Sequence, residues 1–111
     1  MQLKYEMIDH VLIVKFTGEL DHHVAEEIRG ELDETIAQKR MKHLILDLSE
    51  MTFMDSSGIG VIIGRYKNIT KLGGKVAVIN VPEKINKIFK LAGLYHIITK
   101  YSDKNEAINC M

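Results

Sequence analysis

The chain has one cysteine in 111 residues, and that scarcity excludes an internal disulfide framework. Cys110 stands near the C-terminus with no second thiol to meet, so it reads as an unused thiol in a reducing compartment. An excess of either charge is missing too. Fifteen basic side chains balance fifteen acidic ones, for a formal net charge of zero. Without a basic excess there is no electrostatic footprint for direct nucleic-acid binding or for an anionic membrane surface, so a partner has to be recognised locally. Apolar runs stop at about four residues, as in Val11-Leu12-Ile13-Val14, against the ~20 a membrane helix needs. Glu6 interrupts the segment where a secretion signal would be apolar, and a cytoplasmic protein is expected. Low-complexity tracts, linkers and long repeats are also absent, which predicts a single domain over residues 1–111.

What is present is an alternation of strand and helix signals. Gln2 to Met7 reads as a strand, Ile8-Asp9-His10 as a turn, and Val11 to Phe16 as a second, hairpinned strand. After Thr17-Gly18-Glu19-Leu20, Asp21 is expected to cap a helix with the apolar stripe Val24, Ile28, Leu32 and Ile36. His43 to Leu48 is a third strand, apolar enough to be central. Ser49 to Met54 reads as a loop or a short strand extension. A second helix is expected from about Ser57 to Leu72, with Ile59, Ile62, Ile63, Tyr66, Ile69 and Thr70 facing the core and Gly73-Gly74 ending it. Lys75 to Val81 is a fourth strand. Pro82 opens a third helix carrying Ile85, Ile88, Phe89 and Ala92. A short strand over Ile97 to Tyr101 and a weak helix through Ile108, capped by Ser102 or Asp103, complete the chain. The pattern predicts an α/β fold: a mixed four- to five-stranded sheet with helices packed mainly on one side. In such a sheet the loops leaving the carboxyl ends of parallel strands gather at one edge. Leu20-Asp21-His22-His23 and Asp55-Ser56-Ser57 both leave a strand and open a helix, so they are expected to share that edge.

Phe53-Met54-Asp55-Ser56-Ser57-Gly58-Ile59-Gly60 concentrates the chemistry. An acid and two hydroxyls stand where the first helical N–H groups lack partners, a place that suits an N-cap and equally a phosphate. Gly60 and Gly64 share a helix face and leave backbone open to close approach, by the protein's own strand or by a partner. As a nucleophile, Ser56 would need a base within reach; His22 or His23, oriented by Asp21 or Asp55, nominally supplies one. The strained G-x-S-x-G turn and a second glycine loop for an oxyanion hole are missing, however. His22 and His23 are adjacent and diverge on a helix, so no metal site is expected. Nor is there a Walker loop or a dinucleotide fingerprint. No cofactor is expected, and the protein is not expected to be an enzyme. Ser56 reads instead as a residue modified by another protein.

Thr17 to His23, together with the long stretch from Phe53 to Lys67, resembles the anti-sigma factor antagonists of the STAS family, above all those acting in sporulation. The resemblance covers essentially the whole chain, including Gly73-Gly74 and Ala92-Gly93-Leu94. It implies that Ser56 is phosphorylated by a serine kinase that is itself the anti-sigma factor and uses ATP. The unphosphorylated form would bind that ATP- or ADP-bound kinase and free the sigma factor, and a PP2C-type phosphatase would restore the hydroxyl. By the same analogy Asp21, His22, Asp55, Ser57, Gly58 and Gly60 would form the docking face. Another STAS role, as a regulatory subunit of a transporter or lipid-transport complex, is the alternative within the family; a Ser56-dependent hydrolase is the alternative outside it.

Overall fold

β-Branched and leucine-rich segments build the centre of the molecule. In the computed structural model, which describes residues 1–111, strands β1 (Gln2–Ile8), β2 (Val11–Leu20), β3 (His43–Met54), β4 (Val76–Ile79) and β5 (Thr99–Tyr101) form one sheet in sequence order. β1 pairs antiparallel with β2 through a tight turn at Asp9-His10, and every other neighbour is parallel. Helices α1 (Ala25–Lys39), α2 (Ser56–Lys71), α3 (Glu83–Leu91) and α4 (Lys104–Asn109) make or follow the crossovers. The sheet is therefore mixed, and the expected layer architecture is found.

The pleat sorts the apolar residues between two cores. Leu12, Val14 and Phe16 of β2 and Leu44, Leu46 and Leu48 of β3 join residues of α1, α2 and α3 in a cluster of 20 buried side chains. Val11, Ile13, Ile45, Ala77 and Ile79 face the other way, onto Ala107 of α4. Burial on both faces explains why the central strands read as continuous apolar runs. No helix is long and apolar enough to cross a membrane.

Several boundaries differ from the sequence reading. Ser49 to Met54 continues β3, paired to β2 as far as Leu20 opposite Met54, with irregularities near Lys15–Thr17 and Gly18–Glu19. β4 and β5 are shorter than expected, and Leu94–His96 forms a turn of 3₁₀ helix before β5. Pro82 precedes α3 with an extended ψ of 154°; its carbonyl accepts the first helical bond, from the Asn86 N–H at 2.8 Å.

The buried stripe of α2 is rotated from the expected one. Gly58, Val61, Ile62, Arg65 and Ile69 are buried, whereas Ile59, Ile63 and Tyr66 are half-buried against the same core. Arg65, only 5% exposed, lies against Asp33 of α1. Its Nε is 3.0 Å from Asp33 Oδ1, but the N–H is not aimed at that oxygen and Nη1 has no partner. Burial lowers the guanidinium's proton affinity, Asp33 raises it, and Arg29 lowers it further. A half-satisfied buried charge is a weak source of stability. Arg65→Met, similar in length and apolar, is therefore expected to melt at or above the wild-type temperature. Asp33→Ala should cost about 2 kcal/mol by stranding the guanidinium, less than a fully buried pair because Asp33 is partly in water. Thermal denaturation of both variants checks this; a large loss in Arg65→Met would contradict it.

Candidate functional site

Two strand exits meet at one corner of the sheet. The parallel register sets Leu20, the end of β2, beside Met54, the end of β3, and the Asp55 N–H points to the Leu20 carbonyl at 3.4 Å. Asp21 to His23 and Asp55 to Ser57 thus share an edge, as the topology requires.

Asp55 organises the corner. Its backbone is extended and its side chain caps α2: Oδ1 accepts from the N–H groups of Ser57 at 2.9 Å and Gly58 at 3.1 Å. Oδ2 accepts from the His22 N–H at 2.9 Å and lies 3.2 Å from His22 Nδ1. One carboxylate therefore ties the β2–α1 turn to the head of α2. Partial desolvation favours its neutral form, but the bonds from Gly58, His22 and Ser57 outweigh it and hold the acid below its ordinary pKa.

Asp21 does not cap α1, contrary to the sequence reading. That helix begins at Ala25, after Val24, with no side-chain cap. Asp21 instead closes a turn: Oδ1 accepts from the His23 N–H at 3.0 Å, and its carbonyl accepts from Val24 and Ala25. The competing local bond won because aspartate readily bonds the amide two residues on. The rings of His22 and His23 lie with centroids 4.0 Å apart and are tilted by 38° to one another, both exposed.

With Asp55 as cap, the two serines are released from that duty. Ser56 is the first residue of α2 and is exposed. Ser57 is half-buried and lines a shallow groove with His22, Glu26, Arg29 and Gly60. No hydrogen bond joins the His22 ring to either serine hydroxyl. Glu26 and Arg29, 3.7 Å apart, were not singled out in the sequence, where an i, i+3 charge pair reads as ordinary solvated helix surface. Met51 and Met54 are core residues, whereas Phe53 is 37% exposed beside the motif.

The glycines divide by role. Gly58 is buried beneath the corner, and a Cβ there would meet the Leu20 carbonyl oxygen and lie 2.6 Å from Met54 Cγ. It therefore offers little surface for docking, and it sets how closely α2 approaches β2. Gly60 and Gly64 have nothing within 4 Å of a would-be Cβ, so the protein's own strands do not account for their size.

The pH dependence follows from Asp55. A carboxylate held below its unfolded pKa adds stability above that value and loses it as pH falls through the folded pKa. Asp55→Asn keeps a capping oxygen but cannot titrate. Its melting temperature should trail wild type at neutral pH, with the gap closing below about pH 4. A gap independent of pH would contradict the assignment.

The family model for the STAS domain matches residues 2–107. The anti-sigma F factor antagonist of Paenibacillus polymyxa is 42% identical over 110 residues, covering 97% of this chain and 94% of its own. The crystal structure of the Thermotoga maritima protein TM1081 superposes with a TM-score of 0.90 at 27% identity, over 96% of this chain and 92% of that one. SpoIIAA, described as an anti-sigma factor antagonist and as a Bacillus cell-fate determinant, has been solved unphosphorylated and phosphorylated. The two forms match with TM-scores of 0.74 and 0.73 at 27% and 29% identity, over 97% of this chain and 96% and 97% of theirs.

Proposed function

The chain belongs to the STAS domain family, and from that premise we propose that it is an anti-sigma factor antagonist gated by phosphorylation of Ser56. The observation that carries the reading is the division of labour at the head of α2. Asp55 supplies the cap, which leaves the Ser56 hydroxyl exposed and without a hydrogen-bonding role in the fold. A relative solved in a phosphorylated form and another named as an anti-sigma F factor antagonist support it.

In this reading the unphosphorylated protein docks on a serine kinase that doubles as anti-sigma factor, and sporulation sigma factor F is released. Asp21, His22, Asp55, Ser57 and Gly60 surround the contact, with Gly58 setting its shape from below. The kinase moves the terminal phosphoryl group of ATP onto Ser56 Oγ, ADP leaves, and the hydroxyl proton passes to a base on the kinase. The product carries about −1.5 to −2 charges. The N-terminal end of α2 tolerates them through its dipole and free N–H groups, so the fold is kept. At the kinase surface the same dianion must be stripped of water, and docking weakens. A PP2C-type phosphatase hydrolyses the ester and resets the protein. This chain performs no catalysis in the cycle.

The test is incubation with the kinase and ATP followed by phosphosite mapping. One phosphate on Ser56, and none in Ser56→Ala, is expected; a phosphate on Ser57 in the wild-type chain would overturn the assignment.

A further inference from the structure

A second groove opens at the opposite end of α1 and α2 from Ser56. Ile36, Arg40, Met41 and Lys42 form one wall, and Lys71 and Leu72 form the other. Ile36 and Met41 are partly buried and rest on the core, whereas Leu72 is 77% exposed. Arg40, Lys42 and Lys71 take part in no ion pair. The one acid in the groove, Asp33, is already engaged by Arg65 and Asn68. Further positive charge lies nearby. His43, through its burial first and then through Lys42, Lys75 and His10, is held below its ordinary pKa.

In a chain of zero net charge, a cationic rim whose one local acid already has other partners is self-repelling. Cations at helix C-termini do complement the helix dipole, but that does not account for the apolar surface between them. Arg40 also ends α1 with a left-handed φ of 53°, a conformation that glycine adopts more easily, so the local backbone does not select an arginine there.

We propose that this groove is a second docking surface whose occupant is an acidic amphipathic helix of a protein partner. Apolar side chains of that helix would rest on Ile36, Met41 and Leu72, and its carboxylates would meet Arg40, Lys42 and Lys71. A helix laid in a groove buries its apolar face while oppositely charged rims orient it. The 16 residues of α2 put about 24 Å between Ser56 and this end, roughly three Debye lengths at physiological salt. Two partners can therefore bind at once, and a phosphate on Ser56 leaves this groove unaffected. The surface stands or falls independently of the Ser56 switch.

The experiment is an amide NMR titration of the full chain with a designed acidic Leu/Glu amphipathic peptide of about five helical turns. A matched Leu/Lys peptide and phosphatidylglycerol vesicles serve as the other arms. The acidic peptide is expected to shift the amides of residues 36–42 and 68–72 saturably, with the response weakening as salt rises. Arg40→Glu with Lys71→Glu, and separately Leu72→Ser, should each weaken binding about tenfold or more, and Ser56→Asp should not. All three positions are exposed, so the variants are expected to fold, as unchanged spectra elsewhere would verify. Absence of a saturable shift, equal binding of the basic peptide, or binding to vesicles alone would overturn the proposal.

Discussion

Gly58→Ala is expected to cost about 2–3 kcal/mol and to lower the melting temperature by about 10 °C, although alanine is the better helix former. The added methyl would be pressed against the Leu20 carbonyl oxygen and would stand 3.0 Å from Leu20 Cγ. Backbone at the end of a paired strand cannot swing aside as a side chain can. Relief must come from lifting the head of α2 off β2, which also strains the contacts that the His22 N–H and ring make to the Asp55 carboxylate. Kinase docking should therefore weaken along with the fold. Gly60→Ala is the control. With open space around the new methyl, it should gain about 0.5–1 kcal/mol from helix propensity, yet weaken docking if the kinase approaches that face. Thermal denaturation of the two variants side by side checks the contrast, and similar melting temperatures would contradict the division between buried and surface glycine.

Ser56→Asp should weaken kinase binding about a hundredfold, some 2.7 kcal/mol, while moving the melting temperature by no more than about 2 °C. The exposed position and the N-terminal dipole of α2 accommodate a carboxylate within the free protein. Only against a partner does the charge become costly, because it must be desolvated or placed near like charge. Calorimetric titration and a melting curve on the same sample separate the two effects. Unfolding of the variant would move the switch from the interface into the fold.

Much of this was legible in the sequence because it depends on local patterns. The α1 stripe of Ile28 and Leu32 is buried as its spacing predicts, and the apolar runs at 11–14 and 44–46 became central strands. The shared edge of Asp21-His22 and Asp55-Ser56 followed from strand–helix order alone. What was illegible depended on choices between close alternatives. α2 is apolar on two adjoining faces, so Ile59 and Ile63 looked as fit for the core as Val61. The arginine at 65 argued against the stripe that is in fact buried, and only Asp33, from another helix, makes its position tenable. Asp21 had two uses for one carboxylate, and the sequence does not rank a turn above a cap. Gly58 and Gly60 look alike as letters; the Leu20 carbonyl, 38 residues upstream of Gly58, separates their roles.

The central claim is that one exposed hydroxyl, with no role in the fold, decides whether this protein docks. The most direct measurement compares the unphosphorylated protein with the same protein phosphorylated only at Ser56, each titrated calorimetrically into the ADP-bound kinase. Tight binding by the first and at least hundredfold weaker binding by the second, with matching melting curves, is the predicted result. Equal affinities for the two forms would contradict it.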